Sequence, residues 1–222
     1  MRKKYIAMKA AANFRRNMQT ATMDTLQTAI FKATADDKLP PKEKHVLTLV
    51  HCSAEGDAQG SHVDTELAKR LHNHCRSPKA ANVAAKALVV LHRIVLAGHA
   101  EVMRETTATL AGVCSMPQGR SAASDYVADC ASYLRALCAW SGVDGLRGSV
   151  DSAWHGLHAR DVLRALPPLQ QLTNRAMDAA SGGRDSNPPI GTLRHAIIED
   201  ALWLFRAQTV RRQRAFGHGS RG

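Results

Sequence analysis

From residue 5 onward the apolar side chains recur at the 3.6-residue spacing of a helix, segment after segment. Nowhere do they alternate convincingly in the two-residue rhythm of a half-buried strand. That pattern restricts the chain to an all-α architecture. Composition agrees, because only 5% of the residues are aromatic and the good helix formers Ala, Leu and Arg are abundant. An apolar fraction of 45% in 222 residues is enough to bury a core and too high for a charge-dominated disordered chain.

Gly, Pro and Ser punctuate the periodicity and set expected helix boundaries. Helices are predicted over Tyr5 to Thr20 and Thr22 to Ala33, either separate or as one bent helix. After the break at Asp36-Asp37-Lys38-Leu39-Pro40-Pro41, a helix is expected from Pro41 to Ser53, since proline suits a first helical position. Gly56 and Gly60 then mark a loop. Further helices are predicted at Asp64 to Cys75, Pro78 to Ala97, His99 to Val113, Ser121 to Trp140, Leu157 to Ala180 and Thr192 to Arg214. Ala84, Leu88, Leu91 and Val95 make Pro78 to Ala97 the strongest core helix. Pro167-Pro168 should kink or interrupt the helix that contains them. Helices of this length on short connections imply an α-solenoid or an irregular bundle.

Charge points to a surface function. The formal net charge of +11 lies wholly at the two ends, since residues 51–202 hold equal numbers of basic and acidic side chains. A basic end is a footprint for polyanions, either nucleic acid or an anionic membrane. The best apolar stretch, Ala80 to Leu91, contains Asn82 and Lys86 and is too short to span a bilayer. Met1-Arg2-Lys3-Lys4 precedes no signal-peptide core, so a cytosolic chain is the expectation. Cys52, Cys75, Cys114, Cys130 and Cys138 sit in helical patterns and read as reduced core residues.

Motifs for catalysis are absent from this sequence: no nucleophile elbow, no phosphate-cradling P-loop and no dinucleotide fingerprint. His51, Cys52, His62, His72, His74 and Cys75 lack paired zinc-ligand spacing, and His72 and His74 diverge by about 200° around a helix. Asp36-Asp37 reads as an interhelix cap and Glu199-Asp200 as a solvated helix face. No enzyme, metal or cofactor is therefore expected. The informative cluster runs from Lys32 through Lys38 to Lys42, Lys44 and His45. Lys42 and Lys44 beside Pro41 place positive charge where a helix dipole prefers negative charge, and a bound anion would reverse that conflict. Amide hydrogens at the helix start, two ammonium groups, an imidazole and Lys32 from the preceding helix could together surround a phosphate. The plain alternative is a solvated basic helix start.

At these residues the sequence resembles the ANTH domain of clathrin-assembly proteins, most closely the plant members. Lys32, Lys42, Lys44 and His45 match the family's phosphoinositide-binding spacing without a gap, with Lys38 as an auxiliary cation. Further colinear matches are Ala33-Thr34, Pro41-Lys-Glu-Lys-His45, Lys86-Ala-Leu-Val-Val-Leu-His92-Arg93, Tyr133-Leu-Arg135 and Leu166-Pro-Pro-Leu-Gln-Gln-Leu172. The likeness spans about residues 9 to 210, and Ala81 stands where the family usually has tryptophan. The resemblance implies a right-handed helical solenoid over residues 1–214, followed by a disordered basic tail at 215–222. It implies a non-enzymatic, peripheral adaptor that binds phosphatidylinositol 4,5-bisphosphate on the cytosolic face of the plasma membrane. Clathrin-coated pits and vesicles are the implied location, with the Golgi as a second. In the family, SNARE binding belongs to later helices and coat motifs to a long tail. SNARE binding is therefore not expected of this chain, and any clathrin contact is indirect or made by such a tail. Two rival readings are a helical protein-interaction scaffold without lipid binding and a nucleic-acid-binding protein using Arg206, Arg211, Arg212 and Arg214. No nucleic-acid partner is expected, because stacking aromatics and reading motifs are missing near that cluster.

Overall fold

The computed structural model describes residues 25–54, 58–75, 81–97, 106–108, 110–111, 114, 121–140, 159–182 and 187–217. They form an all-α solenoid, with no strand among the described residues. Its helices are α1 (Thr25–Ala33), α2 (Glu43–Ala54), α3 (Ala58–Cys75), α4 (Ala81–Ala97), α5 (Ala122–Ala139), α6 (Ala159–Gly182) and α7 (Pro188–Gly217). The predicted helix Tyr5 to Thr20 and most of His99 to Val113 lie outside the described residues, although 106–108, 110–111 and 114 are helical.

Each helix packs mainly on its neighbours in the chain, and α4 joins the two ends by touching α2, α3, α5 and α7. Ala84, Leu88, Leu91 and Val95 are completely buried, as the periodicity predicts, and so are residues on the other faces of α4. An apolar helix surrounded on all sides is the natural centre of such a stack. α5 is delimited by its caps: Ser121 Oγ accepts from the Ser124 amide at 3.1 Å, and the Trp140 amide donates to the Leu137 carbonyl at 3.1 Å. Trp140 then meets Trp203 of α7 edge-on, with ring centroids 6.4 Å apart.

The structure corrects the sequence reading in several places. α3 begins at Ala58, so Gly60 belongs to its first turn and not to a loop. The reason is tertiary: Val63, Leu67 and Leu71 form one fully buried stripe, and extending the helix costs glycine only at a frayed end. α6 runs unbroken through Pro167 and Pro168. The carbonyls that lose donors there belong to Leu163 and Arg164, both on exposed positions open to solvent. Asp200 is no solvated acid. It is buried, accepting on Oδ2 from His92 Nε2–H at 2.6 Å and from the Tyr133 hydroxyl at 2.8 Å, which links α7 to α4 and α5. Glu199, its neighbour, is exposed as expected.

Cys130 and Cys138 are buried, Cys52 and Cys114 half-buried, and all four are reduced thiols. Burial pushes the Cys130 thiol up to about 12, which leaves it inert as a nucleophile at neutral pH. No helix among the described residues is long and apolar enough to cross a membrane.

Candidate functional site

α1 brings Lys32 to the site in its last turn, where a cation complements the negative end of the helix dipole. The helix stops two residues later. There the Thr34 hydroxyl and amide both donate to the Ile30 carbonyl, at 2.7 and 3.0 Å, closing the last turn. A short loop follows, in which the Asp37 amide donates to the Ala35 carbonyl at 2.9 Å and the Leu39 amide donates to Asp37 Oδ1 at 3.0 Å. Such an Asx turn, followed by Pro40 and Pro41, forces the chain to reverse.

α2 starts two residues later than the prolines suggest. Lys42 precedes the helix, and its carbonyl accepts from the His45 and Val46 amides at 2.9 and 3.3 Å. Only Lys44 is therefore a first-turn lysine, and it shares that turn with Glu43, whose charge suits the dipole. Arg93 on α4 donates from Nη2 to Glu43 Oε1 at 2.7 Å, so this carboxylate is already matched.

Lys32, Lys38, Lys42 and Lys44 are exposed and His45 is half-buried. None of the four lysines makes an ion pair with a described residue. The His45 imidazole is held below its ordinary pKa, first by burial and then by the positive charges of Lys44, Lys32 and Lys42. Three ammonium groups, one each from α1, the loop and α2, thus act on a single imidazole. In the free protein this leaves a neutral histidine inside a cationic cluster.

Sequence reasoning missed the side chain that holds this arrangement together. Lys86 of α4 is 1% exposed, and its Nζ donates to the Ala35 carbonyl at 2.7 Å and to Asp37 Oδ1 at 2.6 Å. It ties the loop between α1 and α2 to the core of the stack. A partial signal was available: a lone lysine in an apolar helix can be buried only if its charge is matched, so it needed a partner elsewhere in the chain, though not one the sequence could name.

A family model for the ANTH domain matches residues 25–139, more than half of the chain. The chain belongs to the ANTH domain family. ANTH domains are non-enzymatic adaptor modules that bind phosphoinositides and work at membranes with the clathrin machinery. The match takes in Lys32, Lys42, Lys44, His45 and Lys86, while the Leu166 to Leu172 segment lies outside it. No curated protein matches the chain, so the likeness to plant members in particular has no relative behind it. Of the rival nucleic-acid cluster, Arg206 is exposed on α7, and the side chains of Arg211, Arg212 and Arg214 lie outside the described residues.

Proposed function

We propose that this ANTH domain binds phosphatidylinositol 4,5-bisphosphate at the cytosolic face of the plasma membrane through Lys32, Lys42, Lys44 and His45, with Lys38 in support. The observation that carries this reading is the convergence of three exposed, unmatched lysines on one half-buried histidine. Two ring phosphates need several cations close together, and a planar carboxylate pair or a duplex would not favour so compact a cluster. His45 adds a hydrogen-bond donor that becomes charged as phosphate approaches. No covalent chemistry is involved.

Each exposed cation near an anionic membrane contributes about 1 kcal/mol, so one such site gives reversible, salt-sensitive binding. We read the module as an adaptor in clathrin-mediated endocytosis, spanning residues 1–214 as one unit, whose lasting recruitment depends on a second contact with the coat or the membrane. Sedimentation with vesicles that differ in phosphoinositide, across a range of salt, tests the proposal. Selective pelleting with the 4,5-bisphosphate supports it. Indifference to all phosphoinositides would leave the scaffold reading, and preference for nucleic acid over every vesicle would leave the other rival.

A further inference from the structure

Resting on that reading of the cation cluster, we propose that the turn at Leu39, Pro40 and Pro41 is a membrane-penetrating tip. Leu39 enters the apolar edge of an anionic bilayer while the surrounding lysines hold lipid phosphates. Leu39 is 62% exposed, more than any other large apolar side chain among the described residues. A single exposed leucine is ordinary on a protein surface. What distinguishes this one is the backbone around it.

The Leu39 amide hydrogen is already donated to Asp37 Oδ1, and Pro40 and Pro41 have none. Three consecutive residues therefore bring no unpaired N–H to the interface, which removes much of the cost of moving a loop out of water. The turn is also held from beneath by the core. Lys86 grips the Ala35 carbonyl and Asp37, and the Asp37 amide closes on the same carbonyl. These polar groups of the loop are consumed on its inner side, and the leucine is left outside.

Charge identifies the occupant. Lys38 precedes Leu39, Lys42 and Lys44 follow it, and Lys32 lies near enough to act on the same His45 imidazole as Lys42 and Lys44. Two nearby carboxylates are drawn elsewhere, Asp37 to Lys86 and Glu43 to Arg93, which leaves Asp36 as the exposed acid of the turn. Long lysine stems let the ammonium groups stay among phosphates while a leucine beside them goes deeper. A free inositol phosphate would match the cations and leave Leu39 in water, whereas a bilayer surface satisfies both.

Two ligands separate these cases: phosphatidylcholine vesicles carrying phosphatidylinositol 4,5-bisphosphate, and soluble inositol 1,4,5-trisphosphate. Leu39→Ala should bind the vesicles about tenfold more weakly and the trisphosphate within about twofold of the parent. Leu39→Trp should retain vesicle binding and add a blue-shifted emission that brominated acyl chains quench, beyond the signal of Trp140, Trp154 and Trp203. If Leu39→Ala binds vesicles as tightly as the parent, or loses both ligands to the same degree, insertion is overturned while the cation site stands. A parent chain that binds neither ligand overturns the cation site, and insertion with it.

Discussion

Lys42 and Lys44 supply charge to the surface and little to the fold, since both side chains are exposed and neither is matched by a described carboxylate. Lys42→Glu combined with Lys44→Glu should therefore abolish sedimentation with phosphatidylinositol 4,5-bisphosphate vesicles at physiological salt and leave helicity and Tm nearly unchanged. Persistent pelleting of the double variant would move the site elsewhere. His45 allows a test with a defined sign. Burial and three lysines hold its free-state pKa below the ordinary ~6.5, so it is neutral at pH 7.5. A bound phosphate favours the charged form, and binding then takes up a proton. Affinity should rise as the pH falls from 7.5 to 6, and His45→Gln should flatten that rise to whatever the lipid's own titration contributes. Identical pH profiles for parent and variant would make His45 a bystander.

Among the elements, α4 and the loop it holds matter most. Leu88→Ala or Leu91→Ala should cost about 2–5 kcal/mol, because both side chains are completely buried and the surrounding helices leave little room for collapse. Chemical denaturation measures this directly, and an unchanged midpoint would remove α4 from the core. Lys86→Met probes the loop. It takes the ammonium away from the Asp37 carboxylate and from the Ala35 carbonyl, which keeps only the Asp37 amide, a loss of about 1–3 kcal/mol, and frees the turn that spaces Lys32 from Lys42 and Lys44. Vesicle binding should weaken even at temperatures where the variant is fully folded. Equal binding by folded Lys86→Met would show that the loop keeps its shape without the tie. The cluster's spacing could be read from the sequence because Lys32, Lys42, Lys44 and His45 lie within one helix end, one loop and one helix start. Its anchor could not, since Lys86 lies 49 residues from Asp37 and only packing brings them together.

Across the whole molecule, the bond network of His92, Tyr133 and Asp200 joins three helices at one carboxylate. Burial and the Asp200 charge push the Tyr133 hydroxyl well above its ordinary pKa, so it remains a donor at any physiological pH. Asp200→Ala leaves two buried polar groups without their acceptor and should lower stability by about 3–5 kcal/mol, whereas Tyr133→Phe should cost about 1–2 kcal/mol. Thermal melts of both variants check the order, and a harmless Asp200→Ala would show that the network is not a joint. Helix content and the core stripe of α4 follow from the amino-acid order alone, because a 3.6-residue repeat and local propensity act within a few residues of the chain. The cation cluster is equally local, spanning 14 consecutive positions from Lys32 to His45. Packing decided the rest. It extended α3 through Gly60, kept α6 continuous past Pro167 and Pro168, buried Asp200 while exposing Glu199, and set Lys86 beneath the loop. Each of these outcomes depends on which side chain meets a neighbouring helix, and that is fixed by contacts between residues far apart in the chain.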